Sequence, residues 1–131
     1  EGSEIWLDGG HNPHGGRAVA EAMAGFEERD PRPLYLVTGM INTKDPKGYF
    51  DAFEGLAREV FTVGIRNSDA GLDPVALATD AAEAGLVAEP VGSTKEALQK
   101  IAALTRRGGP PPRILIGGSL YLAGTVLKDH S

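Results

Sequence analysis

The sequence predicts an α/β domain in which a mostly parallel sheet of five or six strands lies between helices on both faces. Short apolar runs of strand length alternate along the 131 residues with segments whose apolar residues recur at helical spacing. Three helical segments open with a capping residue followed by proline, at Asn12-Pro13, Asp45-Pro46 and Asp73-Pro74. Strict alternation of strands and helices is typical of a parallel sheet between two helical layers.

The first two strand–helix units occupy the amino-terminal part of the chain. One strand is predicted over Glu4–Asp8 and the next over Pro33–Thr38, because both are short apolar runs. The helix after each strand begins at the cap-and-proline pair that follows it. Apolar residues then recur at helical spacing, as Val19, Ala22, Met23 and Phe26 in the first helix and as Phe50, Phe53, Leu56 and Ala57 in the second.

Three further strands are predicted over Val60–Ile65, Val87–Val91 and Arg113–Gly117. Pro90 predicts an edge position for the second of these, because proline cannot donate to a strand ladder. The intervening helices start at Asp73-Pro74 and at the Ser93–Glu96 capping box, and Gly85 is predicted to end the first of them. A last helix is predicted over Leu120–Leu127.

Composition and charge exclude several classes of function. The chain carries 13 Lys and Arg against 18 Asp and Glu, a formal charge of -5, which argues against a nucleic-acid partner. Because there is no cysteine, a disulfide framework, a Cys-ligated zinc site and a thiol nucleophile are excluded. No apolar run approaches the length of a membrane span, so we expect a cytoplasmic protein with no membrane partner. The first residue is Glu1 and not Met, so we expect a piece of a longer protein.

The end of the first strand is the first candidate site. Ligands of an open parallel sheet bind beyond the carboxyl ends of its strands, and there Asp8 is followed by two glycines, His11 and Asn12. A carboxylate, an imidazole and a helix N-terminus at one point suit a nucleotide ribose or a bound anion. Alternatively, Asp8 and Asn12 only cap the helix and His11 is an exposed loop residue. The residues alone leave both interpretations open.

Two more strand ends carry polar residues beside glycine. The loop Asn42–Asp45, which includes Lys44, follows the second strand and could line the same edge or only cap the next helix. Ser119 follows Gly117-Gly118 after the fifth strand, where its hydroxyl could cap a helix, bind a carboxylate, or do both. Tyr121 could face either the site or the core.

Several known signatures are absent from the chain. It contains no G-x-x-x-x-G-K-[ST] P-loop, no G-x-G-x-x-G dinucleotide fingerprint and no G-x-S-x-G elbow. His11 and His14 are three residues apart with no obvious third ligand nearby, so no protein-only metal site is predicted. From the residues alone, the prediction is an α/β domain with an anion- or nucleotide-binding edge.

Taken together, the motifs resemble those of a known family. The strings Leu7–Pro13 (LDGGHNP), Val37–Met40 (VTGM) with Lys44-Asp45, and Leu115–Gly124 (LIGGSLYLAG) carry the resemblance. Their order and separation are similar to those of the C-terminal domain of folylpolyglutamate synthase/dihydrofolate synthase, the folate branch of the Mur ligase superfamily. The resemblance covers essentially the whole chain and implies a Rossmann-like domain of three layers.

The resemblance implies an ATP-dependent amide ligase of folate biosynthesis and one-carbon metabolism. In that family a folate or pteroate carboxylate is activated as an acyl phosphate, which the amine of L-glutamate attacks. Residues 1–131 would be the single C-terminal domain of a longer enzyme, and inactive alone. ATP and Mg²⁺ would be held mainly by a larger N-terminal ATPase domain with the P-loop. L-glutamate and folate or dihydropteroate are the implied small-molecule partners.

Site residues are implied motif by motif. Asp8 corresponds to the residue that holds the ATP ribose, and His11 and Ser119 correspond to residues near the incoming glutamate. Further residues that we expect to support the edge of the cleft are Asn12, Lys44 and Tyr121. No catalytic residue is assigned within this domain alone, and no metal ligand.

Two departures and two alternative functions accompany the resemblance. Gly10 replaces the usual Ala, which a tight turn tolerates, and Thr43 replaces the first Asp of a D-K-D string, which leaves the role of that loop open. The chain could instead be the C-terminal domain of another Mur-type peptide ligase, although its ending favours the folate branch. It could also be a stand-alone binding module without catalysis. Whether the enzyme also makes dihydrofolate depends on a pterin pocket outside this chain.

Overall fold

A computed structural model of the chain describes residues 4–7, 13–39, 46–64, 73–105 and 111–117. Strands and helices alternate through these residues, as the sequence predicts. In chain order the elements are β1 (Glu4–Leu7), α1 (Pro13–Arg29), β2 (Leu34–Thr38), α2 (Pro46–Asp51), β3 (Glu59–Thr62), α3 (Pro74–Glu83), β4 (Ala88–Pro90), α4 (Thr94–Thr105) and β5 (Arg113–Gly117). The predicted last helix, Leu120–Leu127, lies outside the described residues.

The five described strands form one parallel sheet in the order β1-β5-β2-β3-β4. The last described strand thus lies between the first two, so β1 and β2 are both neighbours of β5. β4, which contains Pro90, is at the edge, as predicted, where a missing backbone N–H leaves no ladder bond unmade. The parallel α/β fold with five strands is therefore confirmed.

Helices cover both faces of the sheet because the strand residues alternate between them. In β2, Leu34 and Leu36 lie in the hydrophobic cluster that includes residues of α1, α2 and α3. Tyr35 and Val37 lie in a second cluster that includes Ala97 and Ile101 of α4, together with residues of β3 and β5. The sheet is buried on both sides, as the predicted three-layer arrangement requires.

Local sequence signals set the ends of α3. Gly85 has a φ of 93°, and the backbone N–H groups of Gly85 and Leu86 donate to the carbonyls of Ala82 and Ala81 at 3.0 and 3.1 Å. These two bonds form the glycine-terminated C-cap that the sequence predicts. At the other end of α3, Asp73 makes no side-chain capping bond, so that part of the prediction is wrong.

The start of α4 follows the predicted capping box with one difference. The Glu96 backbone N–H donates to Ser93 Oγ at 3.1 Å, which satisfies one of the donors left free at a helix start. The Glu96 carboxylate accepts a bond from the N–H of Gly92 at 3.2 Å, one residue earlier than in the usual box.

Two apolar residues that lie at helical spacing with buried neighbours are exposed. Ala22 lies at the margin of the stripe that α1 buries, where Ala20 and Met23 are the buried residues. Leu104, in the last turn of α4, is 50% exposed. No helix among the described residues is both long and apolar enough to cross a membrane.

Candidate functional site

All five described strands run in one direction, so their carboxyl ends lie along one edge of the sheet, which we call the carboxyl edge. Thr38 of β2 is in register with Gly117 of β5, and Leu7 of β1 is in register with Ile116 of β5. Neighbouring strands of a sheet are about 4.8 Å apart. The ends of β1, β5 and β2 therefore lie side by side, within about one residue of the same level.

The sequence-predicted site residues come directly after these three strands. Asp8, His11 and Asn12 follow β1, and Lys44 follows β2; after β5 come Ser119 and Tyr121. All six lie outside the described residues, so their contacts stay a prediction. The strand order does bring together the three strand ends that precede them.

Thr38 is a polar residue at this edge that the sequence analysis did not select. Thr38 is 1% exposed, and its Oγ1 has no hydrogen-bond partner among the described residues. Its carbonyl accepts a bond from the N–H of Val63 at 2.9 Å, so the backbone at this point is held in place. A polar residue that ends a buried strand directly before glycine is the sequence signal that could have identified it.

Thr62 provides a direct comparison, because it is in register with Thr38 on the next strand. Thr62 is also fully buried, but its Oγ1 donates to the carbonyl of Pro74 at 2.6 Å. That bond ties the end of β3 to the start of α3. Of these two adjacent threonine hydroxyls, one has a structural partner and the other has none among the described residues.

The opposite edge of the sheet is held by Arg113, the first residue of β5. Its guanidinium is 2% exposed, and Nη2 donates to the carbonyl of Asp30 at 3.1 Å. The guanidinium also lies 5.5 Å from the centre of the Phe26 ring. These contacts connect β5 to the end of α1 and fix the strand on which the predicted site depends.

A groove of about 440 Å³ lies between α4 and the β3–β4 side of the sheet, away from the predicted site. Its polar lining includes Glu59, Glu89 and Lys100, and Lys100 forms an ion pair with Glu89. Burial raises the pKa of Glu59, the charge of Glu89 adds to that effect, and Lys100 opposes it. The hydrogen bond to Glu89 raises the pKa of Lys100. We place the candidate site at the carboxyl edge and not here, because this groove adjoins the first residue of β3.

The part of the chain that the structure describes contains no group of three or more His, Cys, Asp or Glu side chains able to hold a metal ion. At the described strand ends of the carboxyl edge, Thr38 and Thr62 carry buried neutral hydroxyls. Such groups can bind an organic ligand by hydrogen bonds.

A parallel α/β sheet with adjacent strand ends at one edge is the architecture of a ligand-binding domain in α/β enzymes. The family model described as Mur ligase, glutamate ligase domain, matches residues 1–120. The chain belongs to this family.

Within this family, the similar proteins found include folylpolyglutamate synthases. The folylpolyglutamate synthase of Lacticaseibacillus casei is 28% identical over 122 residues, which are 93% of this chain and 26% of that protein. The structure of Mycobacterium tuberculosis folylpolyglutamate synthase complexed with ADP and AMPPCP has a TM-score of 0.79 and 24% identity, and the match covers 95% of this chain and 29% of that one.

A third similar protein is the bifunctional folylpolyglutamate synthase/dihydrofolate synthase of Yersinia pestis, crystallised with AMPPNP and a Mn ion. It has a TM-score of 0.72 and 20% identity, and the match covers 97% of this chain and 28% of that one. The chain thus spans between a quarter and three-tenths of the length of these relatives. The predicted resemblance and the predicted fold are both confirmed.

Proposed function

We propose that the chain is the C-terminal domain of a longer ATP-dependent ligase that adds L-glutamate to folate and, in a bifunctional enzyme, to dihydropteroate. The observation that carries the proposal is the adjacency of β1, β5 and β2 at the carboxyl edge. The segments that begin with Asp8 and Gly118 follow two of these strands directly, and they hold the motifs similar to those of folylpolyglutamate synthases. The family match over residues 1–120 supports it.

The proposed reaction forms an amide from an activated carboxylate. ATP phosphorylates the folate carboxylate, and the amine of L-glutamate attacks the resulting acyl phosphate. A C–N bond forms, the C–O bond to phosphate breaks, and the amine loses a proton as phosphate leaves. Closure of the two domains over the site would exclude water, which otherwise hydrolyses the acyl phosphate.

The roles proposed for individual residues follow their motifs. Asp8 holds the ribose of ATP, and His11 and Ser119 bind the incoming glutamate. The helix α1 begins at Pro13, so its free N–H groups favour an anion near Asn12. The residues proposed to support the cleft edge are Asn12, Lys44 and Tyr121.

The described residues do not supply a ligand set for Mg²⁺, since no acidic or histidine cluster occurs among them. On the resemblance to folylpolyglutamate synthases, we propose that Mg²⁺ and the P-loop belong to an N-terminal ATPase domain of the same protein. On this proposal the 131-residue chain alone does not hydrolyse ATP. The cytoplasm is the proposed location, because ATP and folates are the proposed substrates.

The proposal is tested with the full-length gene product. Phosphate release is followed with ATP, Mg²⁺, L-glutamate and either a reduced folate or dihydropteroate. Release that requires both glutamate and one of these acceptors supports the proposal, and the acceptor that works identifies the activity. Release that requires a different amino acid and a peptidoglycan precursor would assign the chain to another Mur-type ligase. No release with any acceptor would favour the binding module.

Alanine substitutions at two serines, Ser119 and Ser93, distinguish glutamate binding from helix capping. Ser119→Ala is expected to raise the KM for glutamate about tenfold, the loss of one hydrogen bond of about 1.4 kcal/mol to a charged group. Ser93→Ala is the matched control, since Ser93 Oγ caps α4 by accepting from Glu96. It is expected to lower stability by about 1 kcal/mol without changing that KM. A Ser119→Ala enzyme with lower melting temperature and unchanged KM would make Ser119 a cap only.

A further inference from the structure

The buried hydroxyl of Thr38 is a polar group that folding leaves without a described partner. Most buried polar side chains in proteins have a hydrogen-bond partner, and one that has none lowers the stability of the fold. Thr38 Oγ1 is buried and no described group bonds to it, while the hydroxyl of the neighbouring Thr62 is bonded to Pro74. Among the described residues, the hydroxyl at position 38 therefore has no structural partner, and valine has nearly the same shape.

The position of Thr38 indicates which part of the proposed site it serves. In register beside it on β5 is Gly117, which has no side chain, and Ser119 follows two residues later in the chain. The end of β1, which precedes Asp8, is two strands away, or about 10 Å at the usual strand spacing. Thr38 is thus adjacent to the strand that leads to Ser119, one of the two residues proposed to bind glutamate, and is two strands away from the one that leads to Asp8, the residue proposed to hold the ribose.

We propose that Thr38 is a positioning residue for L-glutamate, and that its hydroxyl forms a hydrogen bond in the glutamate-bound enzyme that it lacks in the structure described. This inference rests on the proposed function. Binding of glutamate would relieve the cost of the unpaired hydroxyl, and the relief adds to the affinity for glutamate. Valine has no such bond to gain. The threonine at this position therefore lowers the stability of the unliganded enzyme and raises its affinity for glutamate, as residues of functional sites often do.

The test compares Thr38→Val with Thr62→Val in the full-length enzyme. We expect Thr38→Val to raise the KM for glutamate about tenfold, to leave the KM for ATP within about twofold, and to leave the melting temperature unchanged or higher. Thr38→Ser is expected to restore the KM for glutamate, because it restores the hydroxyl. Thr62→Val is expected to lower the melting temperature, because the carbonyl of Pro74 loses its donor, and to leave the KM for glutamate unchanged.

Three results would overturn this inference and leave the proposed function in place. A KM for glutamate within twofold of wild type in Thr38→Val would show that the hydroxyl plays no part in glutamate binding. Equal increases of the KM values for glutamate and ATP would show a general disturbance of the site. A melting temperature that falls as far as in Thr62→Val would show that the hydroxyl already has a partner in the unliganded enzyme. A wild-type enzyme without glutamate-dependent phosphate release would overturn the proposed function, and this inference with it.

Discussion

Replacement of Arg113 by alanine tests how the strand at the centre of the site is held. Its Nη2 donates to the Asp30 carbonyl at 3.1 Å, and a bond to a charged group contributes about 1.5–3 kcal/mol. The contact with the Phe26 ring contributes about 0.5–2 kcal/mol more. Glu27 and Asp30 lie 3.9 and 3.8 Å from the guanidinium, but their side chains are about half exposed, so these ion pairs add at most about 1 kcal/mol.

We therefore expect Arg113→Ala to lower the free energy of unfolding by about 3–5 kcal/mol, measured by urea denaturation of the 131-residue chain. Arg113→Met keeps the packing of the aliphatic stem and is expected to lower it less. Arg29→Ala is the matched control, because the exposed Arg29 guanidinium lies 5.3 Å from the same Phe26 ring. Arg29→Ala is expected to lower the free energy of unfolding by less than about 1 kcal/mol.

An Arg113→Ala loss no larger than that of Arg29→Ala would refute this account of how β5 is anchored. Arg113 lies at the opposite end of β5 from Gly117, about 13 Å away at 3.3 Å per residue. Below the melting temperature, the KM for glutamate of the full-length Arg113→Ala enzyme is therefore expected to match that of the wild type.

Two further predictions concern stability. Gly85→Ala is expected to lower the free energy of unfolding by about 1–2 kcal/mol, because φ is 93° at this residue and a Cβ would lie 2.7 Å from Oε2 of Glu54. Gly55→Ala is the control, because Gly55 also has a positive φ but a Cβ there would lie in open space, so that the variant has backbone strain alone. If both variants lose the same stability, the Glu54 contact has no effect. Glu59→Gln is expected to stabilise the chain at pH 7 more than at pH 4. The pKa of Glu59 is raised in the folded state, so the carboxyl favours folding below its unfolded pKa of 4.5, and that contribution is lost as the pH rises through the folded pKa. A gain that is equal at both pH values would contradict this.

Local patterns in the sequence predict most of the fold. The five strands and the starts of α1, α2, α3 and α4 follow from apolar runs and from cap-and-proline pairs or the capping box. Gly85 ends α3 because a left-handed residue is needed there, and this requirement is visible in the sequence. The edge position of β4 follows from Pro90 in the same way.

Features that depend on distant parts of the chain could not be predicted from local patterns. The insertion of β5 between β1 and β2 depends on pairing between strands that are far apart in sequence. The burial of Arg113 depends on a carbonyl and a ring near the end of α1. Helical spacing identifies the apolar residues that share one face of a helix, but it does not show how much of that face the sheet and the other helices cover. Ala22 and Leu104 lie at helical spacing and are nevertheless exposed.

The candidate site also has features that local sequence patterns predict and features that they do not. The strand ends on which it depends were predicted from the sequence, and the structure brings those of β1, β5 and β2 together. The Thr38 hydroxyl, which has no partner in the part of the chain that the structure describes, was not predicted, because the partner of a buried hydroxyl depends on neighbouring strands and loops.

The most direct test of the central claim is the incorporation of isotopically labelled L-glutamate by the full-length enzyme. With ATP, Mg²⁺ and a reduced folate or dihydropteroate, the account predicts a labelled amide product, identified by mass spectrometry, whose formation depends on ATP. Ser119→Ala is expected to reduce its formation at low glutamate concentration, and Ser93→Ala is not. ATP-dependent ligation of a different amino acid, with no labelled glutamate product from either acceptor, would contradict the account.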